Sequence, residues 1–489
     1  NRDITLTGGT AFLRADTGVF TVSGDISNGA NGLTLLGLGT NPLATGNVVI
    51  TGVIGTGATP TGGLTIGSTS VSANVTLSGD NLFTGNVTLP GSNTQPNSIL
   101  TITNSGALGV GPKTVQSAGG GEIHLQNNIT IPSGINFTLS GNPSQNGVST
   151  NRAVIYNDSG NNVINGNINI TSGNGGAIVE STSGSLTING SVSAITTSRQ
   201  LNLRGDGDGV IAGVISNGST AALPLVKDSG TGTWTLTGAN TYTGATTVSV
   251  GTLALVGGSQ ESPITVSAGA SLGFTLGSPT TSTSTFNLTN GTIKISGTPT
   301  LPSYTLITDS TGITGTPVLD TPIPGYALVK YGNVLKLENP YEVWAAANSV
   351  VGLPSADDDG DLLSNLLEYA FGTNPTAVFT GSLVYTPGGD VTTPGQPAAV
   401  NFLPSGPGVD YRAVFTRRKD YLAAGLTYTI EFSAGLNVWV PSVATPTLLT
   451  SSTSTGDVDA YSVPYPLFID IGGGAFKKPT FFRVVVTKN

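Results

Sequence analysis

Five carboxylates crowd into residues 357–368, Asp357-Asp358-Asp359-Gly360-Asp361-Leu362-Leu363-Ser364-Asn365-Leu366-Leu367-Glu368. A hard divalent cation such as calcium takes six to eight oxygen ligands, which a twelve-residue loop supplies from positions 1, 3, 5, 7, 9 and 12. Those positions hold Asp357, Asp359, Asp361, the carbonyl of Leu363, Asn365 (directly or through water) and Glu368. Position 6 is Leu362 where the sharp turn favours glycine, although Gly360 stands two residues earlier. The local turn is therefore expected to differ and the site to be weaker. Without a cation the same run reads as an acidic linker entering a capped helix.

Other reactive groups are scarce. The one histidine, His124, lies in the alternating run Glu122-Ile123-His124-Leu125, so a Ser-His-Asp triad would have to use it. His124 reads as an outward strand residue. Arg204-Gly205-Asp206-Gly207-Asp208-Gly209 contains an RGD tripeptide but reads as a glycine-rich corner. Apart from Asp206 and Asp208, the acids of the first 340 residues are scattered, which argues against the paired carboxylates of a polysaccharide-cleaving enzyme. There are no cysteines, hence no disulfide, thiol nucleophile or thiolate metal site. There is also no methionine, not even an initiator, as expected of a processed chain whose leader has been removed.

The elements that must position these groups follow from composition. Of 489 residues, 70 are glycine and only 9% are charged, yet 37% are hydrophobic and recur in short alternating runs. Many short strands separated by tight turns give that pattern. Net charge is −9, and the basic residues cluster only at Arg417-Arg418-Lys419 and Lys477-Lys478, so nucleic-acid binding is not expected. No apolar run approaches the roughly 18 residues of a membrane helix.

Units of the form G-x-(V/I)-x-x-(G/N) recur, as in Gly24-Asp25-Ile26-Ser27-Asn28-Gly29 and Gly213-Val214-Ile215-Ser216-Asn217-Gly218. Runs such as Leu64-Thr65-Ile66, Val75-Thr76-Leu77 and Leu186-Thr187-Ile188 lie between them. These fit a parallel β-helix, with Val, Ile and Leu stacked inward and Thr, Ser and Asn outward. At about 20–25 residues per rung, roughly 14–16 rungs are expected. The texture changes near Asn339-Pro340, where charge density doubles and helical patterning begins. Three segments are thus expected: a parallel β-helix over 1–340, a helix–acidic loop–helix linker over 341–376, and a small antiparallel β-sandwich over 377–489. In the last, Tyr428, Ile430 and Phe432 should face a core while Thr429 and Glu431 face out.

The stretch Gly230–Leu255, GTGTWTLTGANTYTGATTVSVGTLAL, resembles the autotransporter-associated β-strand repeat of bacterial surface and secreted proteins. A looser copy is Leu77-Ser78-Gly79-Asp80-Asn81-Leu82-Phe83-Thr84-Gly85. The resemblance implies a right-handed β-helix passenger, although no transporter barrel accompanies it. The acidic loop is similar to EF-hand and dockerin loops, which implies structural calcium bracing the domains. DYLAAGLTYTIEFSAGLNVWVP and the final FFRVVVT resemble the C-terminal module of secreted bacterial repeat proteins, so the natural C-terminus is expected to be present. The function expected is structural or adhesive, not enzymatic, at the cell surface or outside the cell. An uncapped first rung at Ile4-Thr5-Leu6 would promote a homo-oligomer or homopolymer, in fibres or a layer. The alternative is a monomeric adhesin, or a β-helix that binds or cleaves a glycan or another cell-surface ligand.

Overall fold

A computed structural model describes residues 2–488 apart from 38–45, 92–97, 119–120, 141–143, 146–147, 150–151, 172–175, 196–198, 220–221 and 404–408. Two compact units are present. The first comprises Asn1–Thr298, Thr305–Asp320 and Lys330–Leu335, and the second Pro299–Tyr304, Thr321–Val329 and Lys336–Asn489.

The first unit is a parallel β-solenoid with three faces. Among the described residues one face is a sheet of 13 strands, running from Gly18–Val22 to Ile313–Thr314, and the other two have nine strands each. Alternation along each strand fixes which residues enter the core. On one nine-stranded face the inward column is Leu33, Leu64, Val87, Val115, Phe137, Ile168, Val192 and Ile215, all buried. The adjacent outward column is Thr34, Thr65, Thr88, Gln116, Thr138, Asn169, Ser193 and Ser216. Stacking like on like at every rung gives a continuous apolar interior and a hydroxyl- and amide-covered exterior.

The recurrent glycines have a steric cause. A Cβ on Gly52 would lie 2.0 Å from the carbonyl oxygen of Gly24, and one on Gly79 would lie 2.2 Å from that of Gly52. The same stack resumes at Gly166, Gly190, Gly213 and Gly238. Asparagine and aspartate tie successive rungs together at the corners. Asp25 accepts a hydrogen bond from the Val53 N–H (2.9 Å), Asn136 from Asn167 (2.9 Å) and Asn167 from Ser191 (3.0 Å). Each satisfies a backbone donor that the strand ladder leaves unpaired.

Rungs are less regular than expected. The partners Ile155, Val179, Leu203 and Lys227 are 24 residues apart, but Ile123 to Ile155 takes 32 and Val248 to Val266 takes 18. Thirteen strands stand on the longest face where 14–16 rungs were expected.

In the second unit, α1 (Pro340–Ala347) is capped by Asn339, whose side chain accepts from the Glu342 N–H, with Pro340 in the first turn. Helix α2 (Asn365–Phe371) is capped by Ser364 and ends at Gly372, whose φ of +76° terminates it. Tyr341 and Ala345 of α1 pack on Tyr369 and Ala370 of α2 and on Leu426. Two antiparallel sheets follow, of four and three strands. Their longest pairs are Tyr411–Arg418 with Val458–Pro464 and Leu426–Ser433 with Phe481–Lys488. Phe415 and Val463 from one sheet share a buried cluster with Ile430 and Phe432 from the other. Among the described residues no helix is long and apolar enough to cross a membrane.

Candidate functional site

The acidic loop folds back on itself before α2. Carboxylate oxygens of Asp357, Asp359 and Asp361 lie within 4.8 Å of one another. Backbone donors hold the first of these. Asp357 accepts from the N–H groups of Gly360 (2.8 Å), Asp361 (3.2 Å) and Leu362 (2.9 Å), and these bonds hold its carboxyl below the usual range. Asp361 is buried and accepts from Leu363 (2.8 Å) and from Phe379 (3.1 Å). Asp358 instead turns back to the Val351 and Gly352 N–H groups (2.8 and 2.9 Å).

Leu362 adopts φ +76°, the left-handed conformation that glycine would supply at this position. Three backbone bonds to Asp357 hold this part of the loop. The left-handed backbone at Leu362 costs on the order of 1 kcal/mol.

The remaining donors come from the start of α2. Asn365 is buried with its Oδ1 unpartnered among the described residues, while its Nδ2 donates to the Leu353 carbonyl (3.1 Å). Glu368 is fully buried, and among the described residues neither carboxylate oxygen has a hydrogen-bond partner. Burial, and then the charges of Asp359, Asp361, Asp357 and Asp358, push its carboxyl up to about 8. A buried acid with two idle oxygens is costly unless a cation or proton meets it. The set Asp357, Asp359, Asp361, Leu363 carbonyl, Asn365 and Glu368 is oxygen-only, as a hard cation requires.

The His124 environment was not legible in the sequence. On the 13-stranded face His124 is flanked by Thr101 and Tyr156, and its ring stacks on Tyr156 at 4.5 Å. Nδ1 lies 2.9 Å from Asp158 and Nε2 3.4 Å from Glu122. Glu122 is buried and clasped by Arg152 through two 2.6 Å bonds. Nε2 thus faces a carboxylate, and the imidazole is an ion-pair partner of Asp158 and Glu122. Burial lowers its pKa, but the hydrogen bonds and charges of Asp158 and Glu122 outweigh it and raise it to about 8.

The sign follows by linkage. A histidine raised above its unfolded value near 6.5 contributes stability that is complete below that pH and lost as pH passes 8. The contribution is about 2 kcal/mol. Lys113 and Lys227, lowered by burial to about 8, act oppositely and add stability as pH rises beyond that. Between pH 6.5 and 8, wild type should therefore lose stability relative to His124→Gln. Denaturant unfolding at the two pH values measures this, and equal slopes would contradict it.

The RGD tripeptide is a corner, as expected. Arg204 is buried and bonded at both Nε and Nη2 to Asp228 (2.6 Å each), and Asp206 accepts from the Thr231 N–H (2.8 Å).

The strongest motif turns its side chains inward. Trp234 and Tyr242 are fully buried. The indole N–H donates to the Arg204 carbonyl (3.0 Å), and the phenol meets Thr246 Oγ1 at 2.7 Å. Asn240 accepts from the Ile215 N–H (2.9 Å), as Asn81 in the looser copy accepts from Ile54 (2.7 Å). Phe83 occupies the buried place of Tyr242.

No curated protein and no solved structure is significantly similar to the chain. Residues 228–255 match the family model of the passenger-associated-transport-repeat, and this segment carries Trp234, Asn240 and Tyr242.

Proposed function

We propose that the chain is a non-enzymatic extracellular structural and adhesive protein that assembles with copies of itself and carries a structural calcium ion in the loop 357–368. The observation that carries this reading is the matched repeat, whose Trp234, Leu236, Tyr242, Val248, Leu253 and Leu255 are buried in the interior while Thr237, Thr241 and Thr243 are exposed. Such a segment is scaffold. The acid–base groups around His124 are likewise held in ion pairs.

Assembly is supported by the fold: a parallel β-solenoid presents unpaired strand edges wherever no cap covers its ends. Calcium is supported by the idle oxygens of Glu368 and Asn365 beside three converging aspartates.

Negative-stain electron microscopy of the purified chain, with calcium and with chelator, tests the assembly. Regular fibres or sheets are expected, and their loss in chelator would assign the loop a part in it. Isolated particles in both conditions at high concentration would overturn self-assembly.

A further inference from the structure

A second concave site lies in the C-terminal unit, at the opposite end of α2 from the acidic loop. It is a cleft of about 410 Å³ bordered by Trp344, Asn348, Thr373, Arg418 and Asp457, within the size range of small-molecule sites. Gly372 and Val458 also line it, and a Cβ on Gly372 would lie 2.8 Å from Val458 Cγ1. The left-handed glycine that ends α2 thus also lets the chain turn close against Val458.

We infer that this cleft binds a neutral saccharide, with Trp344 as the stacking surface and Asp457, Asn348 and Thr373 as partners for its hydroxyls. Trp344 is half-buried, its ring 5.8 Å from that of Tyr341 and 5.1 Å from that of Tyr369, so the indole is fixed from behind. An aromatic surface of this kind packs against the C–H face of a sugar ring. Thr373 is buried, and its Oγ1 has no hydrogen-bond partner among the described residues. Asn348 uses its amide N–H on the Trp344 carbonyl (2.9 Å). Its own carbonyl oxygen is an acceptor for an incoming hydroxyl, and the exposed Asp457 carboxylate is a stronger one.

The charge balance selects among ligands. Arg418 lies 4.2 Å from the Tyr369 ring and is held by Asp420 through Nε (2.7 Å) and Nη2 (3.0 Å). Its charge is thereby offset, and Asp457 leaves the cleft net acidic. Sialic or uronic acids are disfavoured there. A purely apolar ligand is disfavoured too, because it would leave Thr373 and Asp457 without partners. A polyhydroxylated neutral ring meets both demands.

This inference deepens the adhesive part of the proposed function and rests on it for its biological setting. Its test is isothermal titration calorimetry of the full chain with cellobiose, diacetylchitobiose, maltose and lactose, with sialyllactose as the anionic comparison. At least one neutral disaccharide is expected to give a saturable heat. Trp344→Ala should abolish it, and Asp457→Asn should weaken binding about tenfold while the melting temperature stays unchanged. Thr373→Val, which removes only the unpartnered hydroxyl, should weaken binding without destabilising the unit. No saturation by any neutral probe, tighter binding of sialyllactose, or binding unaffected by all three substitutions would overturn the inference. Assembly is scored separately by microscopy: fibres without binding would sink this inference alone, and binding without fibres would sink self-assembly alone.

Discussion

Trp234→Ala should cost the solenoid about 4 kcal/mol, as expected for emptying a fully buried aromatic site. It also leaves the Arg204 carbonyl without the indole N–H that reaches it at 3.0 Å, which adds about 1 kcal/mol. The site offers a sharper check through its neighbour one rung back. Gly209 is the register partner of Trp234, and a Cβ there would sit 2.3 Å from the indole ring. Gly209→Ala alone should therefore destabilise by overpacking, by roughly 1–3 kcal/mol. In the Trp234→Ala background the same methyl enters the vacated space and should be neutral or stabilising. Denaturant unfolding of the four proteins gives the cycle, and additive effects would contradict the packing described.

Gly190→Ala should be nearly as damaging, although only a methyl group is added. Its Cβ would lie 2.0 Å from the carbonyl oxygen of Gly166, and Gly213 stacks on Gly190 in the same way from the next rung. The clash is with backbone on a flanking rung, so no rotamer relieves it. The rungs must separate, which strains the pairings of Val192 with Ile168 and Ile215. A loss of at least about 3 kcal/mol is expected. Gly8 is the comparison, since a Cβ there would meet nothing within 4 Å. Gly8→Ala should be close to neutral. Equal unfolding midpoints for the two variants would mean that the stack does not set the rung spacing.

These two sites show why the scaffold was legible in the sequence. The units Gly24-Asp25-Ile26 and Gly213-Val214-Ile215 encode three separate requirements at once: a stacked glycine, an outward residue and a buried isoleucine. Asn81 and Asn240 fall at the same place in both repeat copies because each accepts the N–H of such an isoleucine, Ile54 and Ile215. Local spacing carries that information.

Groups brought together by the coil were not legible. Glu122 meets Arg152 across 30 residues and His124 meets Asp158 across 34, in the rung lengthened to 32. A regular rung of 24 residues, as between Ile155 and Val179, would place neither pair in contact. The cleft beside Trp344 draws on 344, 348, 373, 418 and 457, which only the tertiary fold assembles. The acidic loop is the intermediate case. Its donors are contiguous, so the carboxylates could be named, but composition does not reveal the left-handed turn at Leu362 or the backbone bonds to Asp357.

The proposed chemistry of this chain stands on one calcium ion in the loop 357–368, with Glu368 completing its shell. Isothermal titration of calcium into the chelator-stripped full chain decides it. A single saturable site is expected, with one ion per chain. Its affinity should be at least about tenfold weaker in Glu368→Gln and unchanged in Asp158→Asn, whose carboxylate belongs to the His124 pair in the solenoid. No saturable heat in wild type, or the same affinity in Glu368→Gln, would contradict it.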